Sequence, residues 1–140
     1  MQRTMGFSLI EMLVVVVIIG VLAAVVGPRF MGKTEQARIA AAKSQIENFS
    51  IALDSYQLDN GFYPTTEQGL KALIEKPTSG KVPPNWRGPY LSKKSIPADP
   101  WGRPYLFTCP GKHHPDYDLV SHGKDGKEGG EGDNADIANW

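Results

Sequence analysis

The sequence predicts an α+β fold in which a long N-terminal helix precedes a small antiparallel sheet. An apolar run extends from Phe7 to Gly27, and apolar residues then recur every three or four positions as far as Tyr56. Short β-rich segments separated by Gly and Pro follow in the C-terminal half. These patterns are typical of an apolar helix, an amphipathic helix and short strands joined by turns.

Composition argues against some classes of function. The 15 basic and 15 acidic side chains give a formal net charge of zero, so the broad positive surface of nucleic-acid-binding proteins is missing. We therefore expect no nucleic-acid partner. Cys109 is the single cysteine, which excludes an intramolecular disulfide and a cysteine-rich zinc site.

The run Phe7–Gly27 has the length of a membrane span. As a helix it would extend about 31 Å, close to the roughly 30 Å thickness of a bilayer's hydrocarbon core. A secretory signal peptide is the alternative, but an A-x-A cleavage site is missing and the run exceeds the usual h-region of about 7–15 residues. Charge leaves the orientation open, because Arg3 precedes the run whereas Arg29, Lys33 and Arg38 follow it.

Glu11 is the one acidic side chain within this run. A carboxylate at the centre of a membrane helix costs about 2.5–3.5 kcal/mol, although Glu11 lies near one end and could reach the interface. The composition of the run alone leaves both a functional role and an interfacial position open.

The segment Gly6–Glu11 (GFSLIE) follows a short leader that contains Arg3. It resembles the class III signal of type IV pilins and their relatives. The resemblance implies that prepilin peptidase removes residues 1–6 by cutting between Gly6 and Phe7, and that the new amine of Phe7 is N-methylated. It also implies a homopolymer, in which that amine neutralises Glu11 of the neighbouring subunit.

Pro28 follows the apolar run and removes one helical hydrogen bond. We expect a kink or a melted stretch there, and the alternative is that the helix ends at Gly27. The resemblance implies that a helix resumes, so that Pro28 lies within the assembly segment. The predicted division is a leader at 1–6, a transmembrane and polymerisation helix at 7–28, and a globular body at 29–140.

The body begins with an amphipathic helix that ends at Asn60-Gly61. Its apolar face is expected to pack on the sheet and consists of Ile39, Ala42, Ile46, Phe49, Leu53 and Tyr56. Thr65–Gln68 then predicts the capped start of a short second helix, which stops before Pro77. Strands are predicted at Ile96, Tyr105–Thr108 and Tyr117–Ser121.

Three later segments resemble the major pseudopilins of bacterial type II secretion systems. They are Asp54–Leu70 (DSYQLDNGFYPTTEQGL), Asp99–Tyr105 (DPWGRPY) and Ala135–Trp140 (ADIANW). The resemblance implies a type IV pilin-like fold and a structural subunit rather than an enzyme. It further implies a single-pass inner-membrane anchor with a cytoplasmic N-terminus before assembly, and a body in the periplasm. The implied partners are minor pseudopilins, prepilin peptidase, an assembly platform and its ATPase, which together export folded proteins across the outer membrane.

An acidic, glycine-rich loop precedes the C-terminus. Its acids are Asp125, Glu128, Glu131, Asp133 and Asp136. The pattern alone is also compatible with a solvated flexible loop, since EF-hand spacing is absent. The resemblance implies a calcium site formed by Asp125, Asp136 and Asp133, with backbone carbonyls near His122 and Lys127. His122 stands where the family usually has an apolar residue.

Other functions remain as alternatives. An enzyme could use the residues His113, His114, His122, Asp116, Asp118 and Ser121, but a nucleophile motif such as G-x-S-x-G is missing. A type IV pilin is a second alternative, although Cys109 alone cannot close the disulfide loop common in those proteins. A minor pseudopilin is a third, and such subunits often lack the acid found here at Glu11. An anchored binding module is the most general alternative.

Overall fold

The computed structural model describes residues 6–140, apart from the side chains of Arg29 and Met31. Residues 1–5, which include Arg3 and most of the predicted leader, lie outside the described residues. The chain divides into two compact units, Met1–Gln36 and Ala37–Trp140. The boundary predicted after Pro28 divides a transmembrane helix from a globular body, which is not the same as a division into compact units. That boundary therefore stays a prediction.

Helix α1 extends from Leu9 to Asn60 and includes Pro28. The expected melted stretch at Pro28 is therefore wrong, and so is the alternative that the helix ends at Gly27. Proline removes one backbone hydrogen bond, whereas the bonds of the neighbouring turns remain available to continue the helix. The helix ends where the sequence predicts, at Asn60, and Gly61 follows with a φ of 82°.

The N-terminal part of α1 exposes its apolar surface. Large apolar side chains from Phe7 to Val26 are 43–85% exposed. The helix contains a window with a mean hydropathy of 3.1, none of which is buried. By length and composition, α1 could cross a membrane.

The unit Ala37–Trp140 has its own hydrophobic core. The predicted face of α1 is buried from Ala42 to Tyr56, with Ile39 packed at its margin. Phe49 contacts Tyr105 edge to face, with ring centroids 5.2 Å apart. The amphipathic pattern therefore identified the helix face that packs on the rest of this unit.

The sheet has three antiparallel strands in the order β1-β2-β3, namely Leu106–Thr108, Asp118–Ser121 and Ile137–Ala138. Phe107, Leu119 and Ile137 are buried in the core. The first two strands match the predicted segments, but the strand predicted at Ile96 is wrong. Ile96 packs against the core without joining the sheet, and Pro97, which follows it, has no N–H to donate to a ladder.

The predicted capping box is present, and the helix after it is shorter and tighter than expected. Thr65 N–H donates to Gln68 Oε1 at 3.1 Å, and Gln68 N–H donates to Thr65 Oγ1 at 3.3 Å. The helix that follows is a 3₁₀ helix, Leu70–Leu73. A second 3₁₀ helix, Gly132–Asn134, lies within the acidic loop.

Candidate functional site

The start of α1 brings Glu11 into the first helical turn. Ser8 caps this turn, because its side-chain oxygen accepts the Glu11 N–H at 3.2 Å and its carbonyl accepts the Met12 N–H at 3.2 Å. Ser at the N-cap and Glu three residues later form a capping-box pattern. Gly6 and Phe7 precede the helix, and the Phe7 side chain is 75% exposed. Glu11 is thus placed favourably for the helix dipole, and it is exposed.

The acidic loop begins at an anchor formed by Asp99 and Ser121, both of which are buried. Ser121 donates its hydroxyl to Asp99 Oδ2 at 2.6 Å. The other oxygen of Asp99 accepts the backbone N–H groups of Trp101 and Arg103 at 3.0 and 2.8 Å. The Asp99–Tyr105 segment therefore forms a turn around a buried carboxylate, and this turn holds the end of β2.

The loop carboxylates are hydrogen-bonded within the chain. Asp125 Oδ1 accepts the Lys127 N–H at 3.1 Å. Asp136 Oδ1 lies 3.2 Å from His122 Nδ1, and Asp136 Oδ2 accepts the Gly129 N–H at 2.9 Å. Asp133 is exposed in the second 3₁₀ helix. The predicted ligands therefore occupy one loop, but Asp136 and Asp125 are bound to donors of that same loop.

The loop suits calcium by the type of its donors but not by their present grouping. Carboxylate and carbonyl oxygens are the ligands that calcium prefers. The carbonyl of His122 accepts the Gly126 N–H at 3.2 Å. Over the described part of the chain, no three side chains of His, Cys, Asp or Glu are grouped closely enough to hold a metal ion. Calcium binding would require the carboxylates to converge further.

Comparison with known proteins identifies the family. The model of type II secretion system (T2SS) protein G matches residues 29–140, and the prokaryotic N-terminal methylation motif matches residues 2–27. Type II secretion system core protein G of Pseudomonas aeruginosa is 52% identical over 143 residues, which cover 100% of this chain and 99% of that protein. The chain belongs to the type II secretion system protein G family.

Further relatives agree with this assignment. Core protein G of Escherichia coli K12 is 48% identical, and the match covers 99% of this chain and 92% of that protein. A crystal structure of the major pseudopilin from the type 2 secretion system of enterohaemorrhagic Escherichia coli is 41% identical, with a TM-score of 0.66. That match covers 79% of this chain and 92% of the solved one. The resemblance found in the sequence and the predicted α+β pilin-like fold are both confirmed.

The side chains proposed for an enzyme have other partners in the structure. Ser121 donates to Asp99, and His122 pairs with Asp136. Asp118 accepts the backbone N–H groups of Lys112, His113 and His114 as well as His113 Nδ1. These contacts hold turns together, and the type II secretion system protein G family is a family of structural secretion proteins rather than of enzymes.

Asp118 has a shifted pKa for a clear reason. Burial alone would raise the pKa of this carboxyl, but the three backbone N–H groups and the His113 side chain outweigh burial and lower the pKa to about 2. The ring of His113 in turn stacks on Trp140, with centroids 4.3 Å apart. Asp118 thus holds the backbone of residues 112–114 through hydrogen bonds, and His113 contacts Trp140.

Sequence reasoning missed the Asp99–Ser121 anchor and the Ser8 cap. The cap had a local signal, since Ser8 and Glu11 have the S-x-x-E spacing of a capping box. The anchor had no local sequence signal, because Asp99 and Ser121 are separated by 22 positions.

Proposed function

We propose that this chain is the major subunit of a type II secretion pseudopilus and that it polymerises through the N-terminal part of α1. The observation that supports this most directly is an acidic residue, Glu11, at the start of a helix whose large apolar side chains are exposed from Leu9 to Val26. Such a surface favours lipid or a protein neighbour over water, and a carboxylate within it needs a cation. The methylated amine of Phe7 on the next copy is that cation in our proposal.

Processing precedes assembly. Prepilin peptidase cuts between Gly6 and Phe7, and the new amine is methylated, in keeping with the match to the N-terminal methylation motif. The unassembled chain spans the inner membrane once, with its N-terminus in the cytoplasm and residues 29–140 in the periplasm. The basic residues after the apolar run do not oppose this orientation strongly, because the charge rule has little effect on long translocated domains.

The function is mechanical. Minor pseudopilins, an inner-membrane assembly platform and its ATPase act with this homopolymer, and the growing filament drives folded proteins across the outer membrane. Pro28 lies inside the polymerisation segment, where one missing hydrogen bond allows the helix to adapt to its neighbours. The chain itself performs no catalysis in this proposal.

Calcium completes the acidic loop. Asp125, Asp133 and Asp136 supply carboxylate oxygens, and the backbone carbonyls of His122 and Lys127 supply the others. The loop's glycines favour such closure, because Gly126, Gly129, Gly130 and Gly132 all have positive φ. The role of calcium is to neutralise the carboxylates and order the C-terminal residues.

The experiment is isolation of the protein from membranes of a secreting bacterium, followed by mass spectrometry of its N-terminus and electron microscopy of filaments. We expect a chain that begins at methylated Phe7, forms filaments, and is required for secretion. Filaments that support adhesion or motility while secretion continues without them would favour a type IV pilin. A chain that retains residues 1–6 in functional filaments, or that works only as a monomer, would contradict the proposal.

A further inference from the structure

Arg103 lies against the first turn of the acidic loop. Its Nη1 donates to the carbonyl of Gly123 at 2.9 Å and to the carbonyl of Lys124 at 3.3 Å. A Cβ placed on Gly126 would lie 2.5 Å from Arg103 Nε and 2.6 Å from Cζ. The backbone from Gly123 to Gly126 therefore bends closely around the guanidinium group, and glycine is needed at Gly126 for that approach.

The same buried carboxylate holds Arg103 and the start of the loop. Asp99 Oδ1 accepts the Arg103 N–H at 2.8 Å, and Asp99 Oδ2 accepts the Ser121 hydroxyl. The Ser121 oxygen in turn accepts the Gly123 N–H at 3.3 Å. The guanidinium and the backbone that it contacts are thus fixed to one common anchor, which limits how far either can move.

The two halves of the loop differ in what holds them. Residues 122–126 contact Arg103 and the Asp99–Ser121 anchor, which are outside the loop. Residues 127–136 form hydrogen bonds within the loop and to His122, and Glu128, Glu131 and Asp133 are exposed. Charge-assisted bonds from a guanidinium are stronger than neutral ones, and among the described residues of the loop the Arg103 guanidinium donates such bonds to the first half and not to the second.

We propose that Arg103 is a positioning residue that forms the first turn of the loop before any cation binds. This inference rests on the proposed calcium function where it concerns affinity. Arg103 donates to the carbonyls of Gly123 and Lys124, so the guanidinium does not occupy the carbonyls of His122 and Lys127 that are assigned to the metal. The His122 carbonyl accepts the Gly126 N–H and keeps a second lone pair for a cation. The effect of Arg103 on calcium is favourable because preorganisation of the ligands reduces the entropy lost on binding.

The test uses the full-length protein in detergent micelles and two measurements. The first is amide hydrogen exchange in chelator, read at Gly126, whose N–H donates to the His122 carbonyl. The second is the dissociation constant for calcium ions. The variants are Arg103→Gln, Arg103→Lys and the control Arg87→Gln, since Arg87 is an exposed arginine outside the loop.

For Arg103→Gln we expect Gly126 exchange to accelerate and calcium affinity to weaken, each by about tenfold, as for loss of one charge-assisted hydrogen bond. Arg103→Lys keeps a cation but loses the planar fork, so it should recover part of both effects. Arg87→Gln should match wild type, and exchange in the α1 core should be unchanged in every variant.

Unchanged Gly126 exchange in Arg103→Gln would overturn the inference. Calcium binding by Arg103→Gln that is as tight as in wild type, or tighter, would also overturn the inference. Repulsion between the Arg103 guanidinium and calcium would then equal or exceed any positioning effect. If the wild-type protein binds no calcium, the calcium part of the proposed function fails. Exchange at Gly126 then decides alone whether Arg103 forms the turn.

Discussion

Ser121 donates its hydroxyl to Asp99 across 2.6 Å, and both side chains are buried. The bond joins the turn Asp99–Tyr105 to the end of β2, where the acidic loop begins. A buried carboxylate is costly unless its oxygens are hydrogen-bonded. The hydrogen bond between Ser121 and Asp99 therefore connects the turn Asp99–Tyr105 and the acidic loop into one structural unit.

Ser121→Ala should destabilise the body, because it leaves Asp99 Oδ2 without this donor in a buried site. We expect a decrease of about 1–3 kcal/mol in the free energy of unfolding. Urea unfolding of the fragment Ala37–Trp140 measures it, since every core residue from Ala42 to Ile137 lies within this fragment. Ser92→Ala removes an exposed hydroxyl and is the control. Equal stabilities of the two variants would contradict the role given to the bond.

Asp118 should make the same fragment sensitive to acid. Its folded-state pKa of about 2 lies below the ordinary value of 3.8, so its contribution to stability is complete above about pH 4 and is lost as the pH falls towards 2. The shift corresponds to roughly 2 kcal/mol.

Asp118→Asn should therefore flatten the dependence of unfolding free energy on pH between pH 4 and 2, and lower stability at pH 6. Asp116→Asn, which changes an exposed neighbour, should keep the wild-type slope. An identical slope in wild type and Asp118→Asn would show that Asp118 does not cause the acid sensitivity.

Calcium should raise the melting temperature of the fragment if the acidic loop binds it. At a hundredfold excess over the dissociation constant, binding adds about 2.7 kcal/mol, which corresponds to roughly 10 °C or more for a domain of this size. Asp125→Asn should lose most of that increase, whereas Glu67→Gln, an exposed acid outside the loop, should retain it. Identical melting curves of the wild-type fragment in calcium and in chelator would show that the loop does not bind calcium.

Helical and strand periodicity were sufficient to predict most of the fold. The face of α1 from Ala42 to Tyr56 is buried as predicted, because a repeat of three or four residues reports directly on one side of a helix. Strand β3 was missed since it contains only Ile137 and Ala138. Asn139 holds it in place by accepting the Leu119 N–H at 2.7 Å and donating to the Tyr117 carbonyl at 3.0 Å.

The candidate site was predicted less completely. The motif at Gly6–Glu11 and the acids of the loop are visible because their members are close in sequence. Arg103 is 20 positions from the carbonyl of Gly123, and no local pattern indicates that they meet. Hydrogen bonds between turns that are far apart in sequence form only in the folded chain. The anchor at Asp99 was therefore visible only in the structure.

The capped start of α1 suggests a sharper test of assembly than removal of Glu11 alone. Glu11→Gln keeps a residue that suits a capping box but removes the charge. Ser8→Ala removes the cap but keeps the charge. The two variants therefore separate the helix-forming role of this segment from its electrostatic role.

The decisive measurement is the yield of filaments from wild type, Glu11→Gln and Ser8→Ala, normalised to the amount of each protein in the membrane. We expect normal membrane insertion for all three, strongly reduced filaments for Glu11→Gln, and filaments close to wild type for Ser8→Ala. Wild-type filament yield from Glu11→Gln would contradict the claim that a charge on one subunit is neutralised by the Phe7 amine of the next.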